Sequence, residues 1–272
     1  MVVAAIQINS NNNSKENLKK VLYFMDMALD VNPDIIVLPE YTNYMGPLDK
    51  ALPHGLSKKS MWHKTLSGFA KMNNTGLVVG LLLKADNGKA SSSVLYFNKK
   101  GICRSSYQKL HLFDVNLEDT VVFRESDYLS PGSDPGIFSI DKLTCGVALC
   151  YDLRFPELFR DLVAKNARVI FLPAAFTDVT GEAHWEILVR ARAIENQVYM
   201  IAVNQVGNFM KEKASYGMSM IVDPWGTVIA KAPGLQDDKC ETIISASLDF
   251  SYQDTVRKKL PCLSHIRKDI FG

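Results

Sequence analysis

The chain has 272 residues, of which 47% are hydrophobic and 22% charged, and a net charge of +2. That balance supplies a sizeable core and argues against a nucleic-acid or membrane-surface partner, which would call for a strong basic bias. Its five cysteines, Cys103, Cys145, Cys150, Cys240 and Cys262, include no CxxC pair; this argues against a zinc cluster or disulfide scaffold and fits a reducing compartment, by default the cytoplasm.

In chain order, residues 2–8 read as a first strand. No basic segment precedes this apolar run, so it is not read as a signal peptide. Nowhere do eighteen apolar residues run together, so no membrane span is expected. After a polar loop ending in Ser14 as the expected N-cap, Leu18, Val21, Leu22, Met25 and Leu29 share one helical face. Residues 34–38 read as a continuous apolar strand stopped by Pro39-Glu40. Residues 62–72 predict a helix and 77–83 a strand. Residues 94–98 and 102–107 predict a hairpin around Lys99-Lys100-Gly101. Residues 116–136, rich in acidic and turn residues, read as a long loop of the kind that is usually functional.

Residues 145–149 form a short apolar run that stops at Cys150, and a helix over 155–164 follows, with Pro156 suited to its first turn. Beyond it come a strand at 169–172, a loop at 174–183, a helix at 184–197 and a strand at 199–204. Strands at 219–222 and 227–231 flank the turn Asp223-Pro224-Trp225-Gly226, a last strand spans 243–248, and a short helix spans 251–259. The unbroken β–α alternation, without repeat or linker, predicts an α/β fold and a single domain over residues 1–272.

Three apolar strands end abruptly in an ionisable residue: Glu40, Lys109 and Cys150. Sites in α/β sheets gather at strand ends. A carboxylate, an ammonium and a thiol that converge can take the thiol proton, stabilise an oxyanion and attack a carbonyl. A thiol at a helix N-terminus also sees positive potential that favours the thiolate. Each residue has a plainer reading alone: Cys150 as a small buried hydrophobe, Glu40 as a solvated strand end, Lys109 as a surface lysine.

The stretches VLPEYTN around Glu40, YQKLHLFDV around Lys109 and VALCYDLRFPEL around Cys150 resemble the nitrilase superfamily of carbon–nitrogen hydrolases. The resemblance runs on through FLPAAFTDVTGEAHWEILVRARAIENQVYMIAVNQ and KASYGMSMIVDPWGTVIA, so it covers nearly the whole chain. It implies a four-layer α-β-β-α sandwich that pairs as a homodimer through the helices after Cys150 and from His184. It also implies Glu40 as general base, Lys109 as oxyanion stabiliser and Cys150 as nucleophile, with no metal or other cofactor. Glu125, in VVFRESDYLSPG, stands where the family often has a second glutamate; it orients Lys109 or the water, or is a surface carboxylate. The backbone N–H of Tyr151 is expected in the oxyanion hole.

Within the superfamily, CYDLRFPEL, AHWEILVRARAIENQVY and KASYGMSMIVDPWG resemble the deaminated-glutathione amidase group, with the omega-amidases as the alternative. The implied substrate is a small anionic amide. Arg154 is then a candidate carboxylate binder, or else an ion-pair partner of Asp152 or Glu157. Phe176, Thr177 and Tyr44 are candidate pocket residues, or packing residues. A papain-like hydrolase would leave Glu40 and Lys109 unexplained, and a non-catalytic member of the fold would be expected to have lost one of the three.

Overall fold

A computed structural model describes residues 1–57, 59–117, 121–210, 213–237 and 240–271. The chain runs through β1 (Val2–Gln7), α1 (Ser14–Ala28), β2 (Ile35–Leu38), α2 (Met61–Met72), β3 (Gly76–Lys84), β4 (Ala90–Phe97) and β5 (Cys103–Gln108). A two-stranded ribbon follows, β6 (Asp114–Leu117) with β7 (Val121–Arg124). Next come β8 (Gly136–Ile140), β9 (Leu143–Val147), α3 (Pro156–Ala164), β10 (Val169–Ala174), α4 (Asp178–Asn196) and β11 (Tyr199–Asn204). A second ribbon pairs β12 (Val206–Met210) with β13 (Lys213–Tyr216), and β14 (Met220–Val222), β15 (Val228–Lys231), β16 (Thr242–Ser247), α5 (Phe250–Lys259) and the short α6 (Lys268–Phe271) follow.

Two six-stranded sheets result, in the orders β16-β1-β2-β3-β4-β5 and β15-β14-β11-β10-β9-β8. The centre of each is parallel: β1-β2-β3 in one, β9-β10-β11 in the other. Period-two alternation explains the layering. Val3, Ala5, Ile35, Val37 and Val78 share a core with Val147, Phe171 and Ile201 of the other sheet. Ala4, Ile6, Ile36 and Leu38 face the opposite way, onto Val21 and Met25 of α1 and Leu66 of α2. Leu158, Phe159 and Leu162 of α3 and Trp185, Val189 and Ala193 of α4 pack on the second sheet. Helices, sheet, sheet and helices form four layers.

Several boundaries differ from the sequence reading, each for a local reason. The cap of α1 is Asn13, whose side chain accepts from Lys15 N–H and Glu16 N–H at 3.1 and 3.3 Å. Ser14 instead accepts from the Trp62 indole at 2.8 Å. The expected loop over 116–136 holds β7, a short 3₁₀ turn at Glu125–Asp127 and the first residue of β8, while residues 118–120 lie outside the described ones. Helix α4 starts six residues before the expected His184, capped by Thr177, whose hydroxyl accepts from Thr180 N–H at 3.4 Å. Thr180 and Gly181 are weak helix formers, but packing requires the glycine: a Cβ there would lie 2.3 Å from the Tyr216 ring.

Candidate active site

The three strand-end residues converge, and the backbone explains how. Glu40 lies just past β2, in a turn whose next residue, Tyr41, has φ +56°. The turn presses against β3 so closely that a Cβ on Gly80 would lie 2.3 Å from Pro39 O and 2.6 Å from Glu40 Cα. Lys109 follows β5 and is tied to β4 by its N–H, which donates to Ser92 O at 2.9 Å. Cys150 lies past β9 in the left-handed region, at φ +47°, a conformation a non-glycine residue adopts only when its surroundings hold it there.

Asp152 is what holds it. It is fully buried. Its Oδ2 accepts from Tyr107 OH at 2.6 Å and Leu149 N–H at 2.9 Å. Its Oδ1 accepts from His111 N–H at 3.0 Å and pairs with His111 Nδ1 at 2.7 Å. One carboxylate therefore ties the turn before Cys150 to both sides of Lys109. The His111 ring also stacks on Phe155, with centroids 3.6 Å apart.

Lys109 Nζ donates to Glu40 Oε1 at 3.1 Å and to Glu125 at 3.1 and 2.8 Å, and all three side chains are buried. Ser92 Oγ donates to Glu40 Oε1 at 2.7 Å. Tyr41 OH and Phe113 N–H donate to Glu125, both at 2.8 Å. Glu40 Oε2 keeps no partner among the described residues. It is the oxygen free to receive a proton.

The electrostatics define a resting state. Burial pushes the Glu40 carboxyl up, against the pull of Lys109. Burial and then Glu40 push the Cys150 thiol well above its ordinary value, with Lys109 and the backbone N–H of Ala175 pulling the other way. Burial alone would lower Lys109, but Glu125 and Glu40 hold it well above the usual lysine range. The expectation of a thiolate favoured by a helix N-terminus is thus corrected. Cys150 opens a five-residue 3₁₀ turn, Cys150–Arg154, and α3 begins only at Pro156. The thiol rests neutral beside a base, an ammonium and a second carboxylate. Moving its proton to Glu40 leaves the charge of the buried cluster unchanged, so the step needs no new charge in the low-dielectric interior.

A cavity of about 300 Å³ opens onto this cluster, within the size range of small-ligand sites. Glu40, Glu125, Cys150, Tyr151, Tyr44, Phe176 and Thr177 all line it. Tyr44 stacks on His54 at 4.1 Å and donates to Pro47 O at 3.0 Å, while Phe176 is fixed by its N–H to Asn204 Oδ1 at 2.8 Å. Arg154 lies outside the lining. Its guanidinium stands 5.1 Å from the Phe176 ring centre and 3.3 Å from His184 Nδ1, and it makes no ion pair with Asp152 or Glu157 among the described residues. The sequence reading missed Tyr41, Ser92 and Asp152, and the lining cations Arg124 and Lys213. Tyr41 and Asp152 sit inside the quoted motifs; Lys213 has no local signal, because only the β12–β13 ribbon brings it to the cavity.

Residues 2–258 match the model of the carbon-nitrogen hydrolase family. The chain is 34% identical to the deaminated glutathione amidase of Dictyostelium discoideum, over 95% of this chain and 91% of that protein. It is 35% identical to the omega-amidase NIT2 of Xenopus tropicalis, over 94% and 91%. Among solved structures, it superposes on the Caenorhabditis elegans NitFhit protein with a TM-score of 0.91 and 32% identity, covering all of this chain and 66% of that one.

Proposed function

The chain belongs to the carbon–nitrogen hydrolase family, hydrolases that act on amides, and we propose that its substrate is deaminated glutathione, which it splits into 2-oxoglutarate and cysteinylglycine through a thioester on Cys150. The observation that supports the mechanism is the buried Glu40–Lys109–Glu125 cluster opening, with Cys150, onto one cavity. Glu40 Oε2 takes the thiol proton as sulfur attacks the amide carbon, and the carbonyl π pair moves onto oxygen. Lys109 Nζ and the backbone N–H of Tyr151 stabilise that oxyanion. The tetrahedral intermediate collapses, the C–N bond breaks, and the amine leaves with the proton from Glu40. The regenerated carboxylate then deprotonates a water that attacks the thioester, releasing the acid and restoring the thiol. Glu125, held by Tyr41, Phe113 and Lys109, fixes the ammonium's position. Phe176, Thr177 and Tyr44 shape the acyl pocket, and Arg154, outside the lining and 5.1 Å from the Phe176 ring centre, bears on the oxo-acid carboxylate only as a positive charge behind that ring.

Omega-amidase activity is the second reading, favoured by an equally similar relative of that name. The two substrates share the acyl half and differ in the leaving group. Coupled detection of 2-oxoglutarate on deaminated glutathione and on 2-oxoglutaramate separates them. A kcat/KM about a hundredfold higher on the former, roughly 2.7 kcal/mol of discrimination, is expected; the reverse preference overturns the proposed substrate.

The same reading includes a homodimer in the cytoplasm. Val179, Ile187 and Ile194 form an exposed apolar stripe along α4, continued by exposed Trp225. A partner copy that covers this stripe removes it from water. Sedimentation of wild type as a dimer, and of Ile187→Glu as a monomer, is the expected result. Cys145, Cys150, Cys240 and Cys262 are free thiols, which fits a reducing compartment.

A further inference from the structure

The charge along the cavity wall is uneven. At the reacting end, Lys109 is already engaged by Glu40 and Glu125. The cationic residues that line the cavity are Arg124, at the end of β7, and Lys213, at the start of β13. The Lys213 ammonium lies 4.3 Å from the centre of the Phe123 ring, which lines the same cavity. Arg124 is next in the chain and stands opposite Asp114 in the ribbon. Asp114 is itself engaged by the Ser126 N–H at 3.0 Å. Among the described residues neither cation makes an ion pair within 4 Å; against the push of burial, Ser126 and, at longer range, Arg124 hold the Asp114 carboxyl below its ordinary value. Lys213 is half-buried. An ammonium set over an aromatic face in such a wall gives up hydration and gains no anion in return. Between these cations and Cys150 the wall is aromatic, with Phe113, Phe123 and Tyr151. The remaining acidic lining residue, Asp49, lies by Tyr44.

An anionic group is therefore fitted at the ribbon end of the cavity and disfavoured at the two-glutamate end. In the seating proposed above, with the acyl group against Phe176, Thr177 and Tyr44, the departing amine is the part of the substrate directed toward the ribbons. We propose that Lys213, seconded by Arg124, binds a carboxylate carried by the leaving amine, so that the enzyme prefers amides that release an anionic amino acid or peptide over those that release a neutral amine. This rests on the amidase reading above and assigns its leaving-group specificity to the two ribbons.

The test uses two amides with the same 2-oxoglutaryl acyl group and the same dipeptide leaving group, one ending in a carboxylate and the other in a carboxamide. The ratio of their kcat/KM values is measured for wild type, Lys213→Met, Lys213→Glu and Arg124→Gln. Because it is a ratio within one protein, it cancels any loss of folded enzyme. Wild type should favour the carboxylate by about tenfold or more, the scale of one charge-assisted hydrogen bond. The ratio should fall toward one in Lys213→Met, fall below one in Lys213→Glu, and drop partway in Arg124→Gln. A wild-type ratio near one, or a ratio that both Lys213 variants leave unchanged, overturns the subsite while the amidase reading stands. Release of 2-oxoglutarate from neither amide, with 2-oxoglutaramate still hydrolysed, overturns the subsite and leaves the amidase reading standing; release from none of the three overturns both.

Discussion

Asp152→Asn is the substitution on which the geometry speaks most directly. The carboxylate accepts from four donors, two on each oxygen. An asparagine keeps one oxygen and turns an amide N–H₂ toward the other two donors. Tyr107 OH or His111 Nδ1 can turn to accept from that amide, so one backbone N–H, of Leu149 or of His111, is left without an acceptor, at about 1–3 kcal/mol. That is a sizeable share of the roughly 5–15 kcal/mol that holds a typical protein folded. For a chain of this size the melting temperature should fall by roughly 2–10 °C. The kinetic effect is separate. The link between the Cys150 turn and the Lys109 segment loosens, and a displacement of about 1 Å between reacting groups costs on the order of a hundredfold in rate. Thermal melts by circular dichroism, with kcat measured well below the transition, give both numbers. Tyr107→Phe removes one donor and leaves none orphaned, so its loss should be about 1 kcal/mol and its kcat should fall much less. An Asp152→Asn enzyme with an unshifted melt and a kcat within about threefold of wild type would refute this reasoning.

The proposed mechanism needs Glu40 ionised and the thiol protonated. Burial raises Glu40 above its ordinary 4.5, so kcat/KM should fall as pH drops through a value above 4.5; an acid limb at or below 4.5 would contradict the assigned base. Glu125→Gln should lower kcat by about 10- to 100-fold with little change in KM, since it positions the ammonium through the reaction; a change confined to KM would make Glu125 a binding residue instead. Gly80→Ala drives a methyl group into Pro39 O and Glu40 Cα, at about 1–3 kcal/mol, and should lower kcat and the melting temperature together; wild-type values for both would show that the turn can shift freely. Cys145 is fully buried away from the cavity, whereas Cys150 lines it beside Glu40, so iodoacetamide should spare Cys145 and label Cys150. Glu40→Gln should slow that labelling, and equal labelling in wild type and variant would remove Glu40 from thiol activation.

What was legible in the sequence was the part written in contiguous residues. Continuous apolar strands ending at Pro39-Glu40 and Leu149-Cys150 announce an α/β fold; Lys109 ends a strand of mixed polarity, and the layered sandwich and the candidate triad are legible through the resemblance of the three motifs. What was illegible depends on chain segments far apart. Thr180-Gly181 reads as a loop until Tyr216 is seen packed on the glycine. Asp152 reads as a charge near Arg154, yet it pairs with Tyr107 and His111, more than forty positions away. Lys213 reads as one basic residue among many until two ribbons fold over the cavity. The thiol's protonation was misjudged for the same reason. Local sequence shows a helix start close by, whereas burial and Glu40, which only the tertiary fold supplies, dominate its acidity.

The central claim is that Cys150 carries the acyl group. Rapid-quench intact-protein mass spectrometry during turnover of deaminated glutathione, with peptide mapping of any adduct, tests it in one measurement. The account predicts a transient gain equal to the 2-oxoglutaryl group, located on the Cys150 peptide, absent in Cys150→Ala and accompanied there by loss of turnover. An acyl group on another residue, or turnover retained by Cys150→Ala, would contradict it.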